Sequence, residues 1–102
     1  LNRAPVALFL TQASVSDDAT RDLEDYAACA CALQNLLLAA EAEGLAAHTS
    51  TDRLITYGVT REQLGLAERD RVVAIVHLGF AREGAPTKVG KRDEPVVQWD
   101  WR

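Results

Sequence analysis

Residues 25–48 read DYAACACALQNLLLAAEAEGLAAH, and this stretch predicts a helix that is apolar on nearly every side. Between Ala27 and Ala40 only Gln34 and Asn35 are polar. A helix that is hydrophobic around its whole circumference is buried around its whole circumference. A chain of 102 residues can cover one side with its own sheet and has little left for the other. The pattern therefore predicts a partner for this helix, either a second copy of the chain or a missing part of the same protein, and the alternative is a central core helix of a single domain.

The helix is expected to run from about Arg21 to Glu43, with Thr20 as its N-cap. Gly44 suits the C′ position, where a residue in the left-handed conformation commonly ends a helix. Two apolar stripes follow the helical spacing, and their members are Tyr26, Ala30, Leu33, Leu37 and Ala40 on one side, and Cys29, Ala32, Leu36 and Ala39 on another. The alanines leave the backbone thinly covered, so another helix could approach closely.

The rest of the chain predicts strands and one short helix around this element. PVALFL (5–10) and RVVAIVHLGF (71–80) are apolar runs, and the second is a central strand because it is apolar on both faces. LAAHT (45–49) is a strand or an extended loop. A capping box at Thr60–Gln63 predicts a helix over about 61–65. PVVQWDWR (95–102) alternates like a strand with one buried face. The order predicts an α/β (α+β) fold in one domain over residues 1–102, a mixed sheet packed with helices.

Composition excludes several classes of function. The net charge of −4 and the few aromatic residues disfavour nucleic-acid binding, and no apolar run is long enough to cross a membrane. Cys29 and Cys31 point apart on a helix, so they cannot pair, and buried thiols in a reducing cytoplasm are the expectation. The sequence has no methionine, so either its N-terminus was removed or it is a piece of a longer protein.

Two segments could bind a ligand, although neither forms a catalytic or metal motif. HTSTDR (48–53) places hydroxyls and backbone N–H groups after an apolar run, and an ordinary polar turn is the alternative. TKVGKR (87–92) groups basic residues around Gly90, which suits a phosphate, and a solvated basic loop is the alternative. His48 and His77 are far apart in sequence, and both are expected to be structural. No catalytic residue and no metal site are predicted.

The order of these blocks resembles the C-terminal half of the FMN-dependent nitroreductase family, especially its small, single-domain bacterial branch. The resemblance is carried by QNLLLAAEAEGLAAH, then LITYGVTREQLGL, then RVVAIVHLGF, then KR before PVVQW, and it extends from about Ala4 to Trp101. It implies an intertwined homodimer with the long helix at the interface and a C-terminal arm reaching the partner. It also implies FMN at the interface, reduced by NAD(P)H and reoxidised by nitroaromatics, quinones or similar acceptors.

The resemblance also implies the cofactor-binding residues. The family pattern G-L-G-A-x-W-x-T-G corresponds to residues 44–52, where Thr49 replaces the usual tryptophan and Asp52 the usual glycine. The implied residues are Thr49, Ser50, Thr51 and Asp52 toward the flavin ring, and Lys88, Lys91 and Arg92 toward its phosphate. Backbone N–H groups around Thr51 and Asp52 would face the N5/O4 edge, whereas the Asp52 carboxylate would disfavour the anionic reduced flavin.

The N-terminal half of the family, with its Arg-Ser-x-Arg motif, has no counterpart in this sequence. A lone copy is therefore expected to bind FMN weakly or not at all. Three readings stay open: a cytoplasmic nitroreductase-like oxidoreductase, a non-catalytic dimerisation module or truncated remnant of one, and one half of a split enzyme.

Overall fold

The structure is a computed structural model that describes residues 5–51, 58–82, 90 and 93–100. Its elements follow the order β1 (Val6–Gln12), α1 (Ala19–Ala42), β2 (Ala46–Ser50), α2 (Gly58–Gln63) and β3 (Arg71–Gly79). The predicted alternation of strands and helices is confirmed, and with it the α/β class. LAAHT, left open between strand and loop, forms most of β2.

The three strands form one sheet in the order β1–β3–β2, and β3 pairs antiparallel with both neighbours. Residues 72–77 of β3 are all buried, which confirms the prediction of a central strand. β1 and β2 run in the same direction but are separated by β3, so α1 connects two strands that do not touch. The expected mixed sheet is antiparallel throughout the described strands, because no two parallel strands are neighbours there.

Helix α1 packs on the sheet and contacts all three strands. Its N-cap is Asp18, whose carboxylate accepts hydrogen bonds from the backbone N–H of Thr20 at 2.9 Å and of Arg21 at 3.3 Å. The prediction that Thr20 is the N-cap is therefore wrong. Thr20 lies inside the first turn because the aspartate two residues earlier binds the free N–H groups, and its charge also suits the helix N-terminus.

The C-terminus of α1 is a Schellman motif centred on Gly44. The N–H of Leu45 donates to the carbonyl of Ala40 at 2.9 Å, and the N–H of Gly44 donates to the carbonyl of Glu41 at 3.0 Å. Gly44 has φ +76°, which lies in the left-handed region where a Cβ is unfavourable. The predicted C′ position is confirmed, and the motif turns the chain directly into β2.

One side of α1 remains uncovered by the described chain. Ala40 is its only buried residue, whereas Leu23 is 72% exposed and Leu38 is 59% exposed. The described residues therefore do not enclose α1, in contrast to the alternative of a central core helix considered above. The expectation of two buried thiols is also wrong, because Cys29 is half-buried and Cys31 is exposed on this uncovered side. A partner for the apolar side stays a prediction.

Two further segments differ from their predictions. Helix α2 begins at Gly58, so Thr60 lies within the helix rather than at its cap. Residues 93–100 form no strand, and Val96 and Trp99 are 99% and 71% exposed. A strand needs a neighbour to complete its backbone hydrogen bonds, and no strand of the described sheet pairs with this segment. Trp101, expected on its buried face, lies outside the described residues.

The left-handed conformation of Gly44 generates a stability prediction. Gly44→Ala should lower the free energy of unfolding by about 1–2 kcal/mol, because a Cβ in this conformation approaches the following carbonyl oxygen. Gly58→Ala is the matched control, since a Cβ at Gly58 would meet no atom within 4 Å and its φ is not positive. Chemical denaturation followed by circular dichroism measures both variants. Equal stability of the two variants would contradict the role assigned to Gly44.

Candidate functional site

The end of β2 carries the described part of the predicted cofactor site. Thr49 and Ser50 are the last two residues of β2, and Thr51 follows them in an exposed position. The structure therefore brings three of the seven predicted residues together. The other four, Asp52, Lys88, Lys91 and Arg92, lie outside the described residues.

The register of β2 against β3 fixes how Thr49 and Ser50 are held. Thr49 lies opposite Val76 and Ser50 lies opposite Ile75, and both partners are almost completely buried. Successive strand residues face opposite sides of a sheet, so Thr49 and Ser50 point to different faces. In the described sheet β2 is also an edge strand. Its outer N–H and C=O groups thus meet no strand of that sheet, and they form a row that a ligand or another chain could bind.

The Thr49 side chain has an unsatisfied polar atom. Its Oγ1 is buried and has no hydrogen-bond partner among the described residues. A buried polar atom without a partner typically costs about 1–3 kcal/mol, so such atoms commonly have a bound group or another chain beside them. Thr49 therefore places an unsatisfied hydrogen-bonding group at the end of β2.

A pair of histidines lies beside this strand end and was not anticipated as a pair. His48 and His77 are directly opposite in the β2–β3 register, with ring centroids 6.2 Å apart and ring planes inclined by 21°. His77 is 9% exposed, and its Nδ1 is buried without a hydrogen-bond partner in the described chain. A cavity of about 310 Å³ adjoins both rings, and its other lining residues are Pro5, Ala46, Ala47, Leu78, Gly79 and Phe80.

Sequence reasoning considered the two histidines separately and predicted a structural role for each. Their proximity could have been predicted only from the antiparallel pairing of the two apolar runs and from the register of that pairing. A shift of one residue would have placed the two rings on opposite faces of the sheet. The single sequence does not contain that register.

A second, more polar cavity of about 580 Å³ lies near the other end of β3. Three arginines line it, namely Arg61, Arg69 and Arg71, together with Val15, Asp17, Glu68, Asp70 and Val72. Each arginine already has protein partners. Arg69 binds the Asp17 carboxylate at 2.6 Å, and Arg61 donates to the carbonyl of Ala67 at 2.9 Å. Arg69 and Arg71 bind carboxylates, whereas Arg61 binds the backbone carbonyls of Ala67 and Glu68, and these contacts hold the loops around the cleft together.

Arg71, Asp22 and Gln12 tie the start of α1 to the sheet. The Arg71 guanidinium donates to both Asp22 carboxylate oxygens at 2.9 and 3.2 Å, and the Gln12 amide donates to the same carboxylate at 2.9 Å. Arg71 also lies 5.9 Å from the Tyr26 ring centroid, within range of a cation–π contact. The hydrogen bonds from Arg71 and Gln12 lower the pKa of Asp22 below its ordinary value.

Two other aspartates on the loops between elements have lowered pKa values. Hydrogen bonds from Arg69, supported by its charge, lower the pKa of Asp17. The backbone N–H groups of Ser14 and Ala67 donate to the Asp70 carboxylate and lower its pKa as well. These carboxylates fix the loops that lead into α1 and β3, so their charge has a structural role.

The lowered pKa of Asp22 predicts a pH-dependent stability. A carboxyl whose pKa is lower when folded stabilises the protein above its unfolded pKa of about 3.9, and this contribution disappears as pH falls through the folded pKa. Asp22→Asn should therefore be less stable than the parent protein at about pH 6, and the difference should shrink toward about pH 2.5. Urea denaturation across this range measures it.

Asp93→Asn controls for the loss of one negative charge, because Asp93 is exposed and lies outside the Asp22 network. Its difference from the parent should be small at all these pH values. A constant deficit for Asp22→Asn down to about pH 2.5 would show that the Asp22 ionisation is not what stabilises the helix start.

The described residues contain no group of three or more His, Cys, Asp or Glu side chains that could hold a metal ion. Within the same part of the chain, no helix has both the length and the apolarity required to span a membrane.

Comparisons with known proteins agree on one family. The family model described as "Nitroreductase family" matches residues 1–80. A nitroreductase-like family protein from Bacillus cereus is 25% identical with a TM-score of 0.75, over 87% of this chain and 47% of that one. A nitroreductase with bound FMN from Bacteroides fragilis is 26% identical with a TM-score of 0.63, over 93% of this chain and 50% of that one. Comparison with curated proteins gave no match.

The chain spans about half the length of the solved structures it matches. The resemblance described from the sequence is therefore confirmed for the family and the fold, while the site residues are not tested by it.

Proposed function

Because the chain belongs to the nitroreductase family, we propose that it is the C-terminal portion of an FMN-dependent oxidoreductase that passes a hydride from NAD(P)H to nitroaromatic, quinone or similar acceptors. The observation that carries the proposal is the family match over residues 1–80, which includes all five elements β1, α1, β2, α2 and β3. Bound FMN in the similar Bacteroides fragilis nitroreductase supports the choice of cofactor.

In this proposal the end of β2 positions the flavin ring. FMN, when bound, supplies the hydride chemistry, and the protein supplies orientation and electrostatics. The edge position of β2 and the unpartnered Thr49 hydroxyl suit a planar ligand that carries hydrogen-bonding atoms along one edge. Backbone N–H groups at Thr51 and Asp52 would donate to the N5/O4 edge. No side chain of the chain is assigned as an acid or base.

Charge separates the two ends of the proposed site. Lys88, Lys91 and Arg92 would bind the phosphate, where an arginine can donate two parallel hydrogen bonds. The Asp52 carboxylate would lie at the opposite end, where a negative charge would disfavour the anionic reduced flavin. Relative to a glycine at this position, the aspartate should weaken binding and lower the reduction potential of the flavin.

We also propose that α1 forms the core of a homodimer. Its uncovered side includes Leu23, Tyr26 and Leu38, each more than 40% exposed in the described chain. Burial of a leucine side chain contributes about 1.5–3 kcal/mol, so this side offers a substantial free energy of association. The segment 93–100, which exposes Val96, Val97 and Trp99, would be the arm that reaches the partner.

A non-catalytic dimerisation module or remnant is the second candidate function. The observations that favour it are the half-length match to solved structures and the replacements at Thr49 and Asp52. Such a module would retain the α1 interface without a functional flavin site. Both candidates predict a dimer, so cofactor binding is what separates them.

Titration of the purified protein with FMN tests the cofactor assignment. Binding quenches flavin fluorescence, and Asp52→Gly should bind FMN several-fold more tightly than the parent because it removes the carboxylate. The double variant Lys91→Ala/Arg92→Ala should bind more weakly, because loss of phosphate contacts removes charge-assisted hydrogen bonds.

Arg21→Ala/Arg82→Ala serves as the control for loss of two positive charges, since both residues are exposed and outside the 87–92 segment. A stable protein that does not bind FMN in either the parent or the Asp52→Gly form would support the non-catalytic module. Equal weakening of FMN binding by the two double variants would remove Lys91 and Arg92 from the site.

The α1 interface is tested by Leu38→Glu. A charge on the exposed apolar side of α1 should convert a dimer into a monomer, because the carboxylate would have to be desolvated on association. Gln63→Glu adds the same charge at the exposed end of α2 and should leave the dimer intact. Sedimentation equilibrium measures both. A dimer that withstands Leu38→Glu would place the interface elsewhere.

A further inference from the structure

The sequence contains two histidines, and the fold places them against each other. His48 and His77 come from different strands and meet at directly opposite positions of the β2–β3 ladder. Directly opposite residues of an antiparallel pair project from the same face of the sheet, with Cβ atoms about 4.5–5.5 Å apart. The two imidazoles therefore share one location and one side of the sheet, which is the arrangement that two ligands of one ion require.

The distances suit one metal ion between the rings. A zinc-type ion lies about 2.0–2.1 Å from a ligating imidazole nitrogen, so two ligating rings have centroids roughly 6 Å apart or less. The observed separation is 6.2 Å, slightly beyond this range, and the ring planes are inclined by 21°. His48 is exposed and can turn about its side-chain torsions, which would bring one of its ring nitrogens toward an ion bound by His77. The adjoining cavity of about 310 Å³ leaves room for an ion and its water ligands.

The surroundings of His77 leave its imidazole available. Its Nδ1 is buried without a hydrogen-bond partner among the described residues, so no described protein group competes for that atom. The other six lining residues, given above, are apolar or glycine and offer no carboxylate to attract Mg²⁺ or Ca²⁺.

We propose that His48 and His77 form a two-imidazole site for a divalent transition-metal ion on the β2–β3 sheet. The ion would link an edge strand to the central strand and keep its remaining coordination positions for water or for a small ligand. Imidazole ligands favour Cu²⁺, Ni²⁺ and Zn²⁺ over the hard alkaline-earth ions, and affinity should rise from Ni²⁺ to Cu²⁺. The site does not depend on the flavin proposal, because it uses neither the 49–52 turn nor the basic segment.

Ni²⁺ binding to the purified chain tests this site. Cys29→Ser and Cys31→Ser are introduced first, because thiolates also bind such ions. Isothermal titration calorimetry should then give one Ni²⁺ per chain, and the midpoint of thermal unfolding should rise with the ion because it binds only the folded pair. Loss of a group that only orients a metal ligand already weakens metal affinity about 10–100-fold, so loss of the ligand itself in His48→Gln should weaken Ni²⁺ binding at least tenfold.

His77→Gln should have the same effect as His48→Gln, and the double variant should show no specific binding. Ala13→Gln is the matched control, since it adds the same side chain at an exposed position just beyond β1 that does not line the cavity. If His77→Gln fails to fold, His48→Gln still decides, because His48 is exposed. Absence of Ni²⁺ binding to the parent, or undiminished binding to folded His48→Gln, would overturn the site. Binding lost equally in Ala13→Gln would also overturn it.

Discussion

The burial of β3 between β1 and β2 is the constraint on which the rest of the structure depends. Residues 72–76 are almost inaccessible, so their backbone groups must bond to neighbouring strands on both sides. Antiparallel pairing on both sides forces β1 and β2 to run in the same direction with β3 between them. The connection from β1 to β2 must therefore cross the sheet, and α1 does so while covering its apolar face. The Schellman motif at Gly44 then returns the chain into β2 at the register that brings His48 opposite His77.

Helix α1 and the central strand were predictable because their signals are local and repeated. The helical spacing of apolar residues over 26–40 and the glycine at 44 need no knowledge of the rest of the chain. The N-cap was missed because Asp18 and Thr20 are both competent caps, and the choice depends on where the incoming loop positions the backbone. The strand predicted over residues 95–102 was wrong in its described part, residues 95–100, for a different reason. Its alternation describes a surface that must be covered, yet a strand also needs a neighbouring backbone that the described chain does not supply.

The candidate site could be predicted only in part, because its residues act through tertiary neighbours. The resemblance of residues 44–52 to a family pattern located Thr49, Ser50 and Thr51, and the structure places them at the end of an edge strand. The family pattern could not reveal that the Thr49 hydroxyl is buried without a hydrogen-bond partner among the described residues. The pairing of the two histidines could not be predicted from the sequence either, because it depends on the register of two strands. Asp52 and the basic segment lie outside the described residues, so their roles stay predictions.

The uncovered side of α1 and the edge of β2 belong to one physical problem. Both are surfaces that the described part of the chain leaves uncovered, and the Gly44 turn joins them within a few residues. A second chain packed on α1 would restrain this turn through the Leu45 to Ala40 hydrogen bond and thereby restrain the start of β2. A ligand bound at the end of β2 would restrain the same strand from its other end. Each binding event would order residues that the other must also order, so the second event would cost less conformational entropy. Association of two chains and cofactor binding should therefore favour each other even without a change in structure.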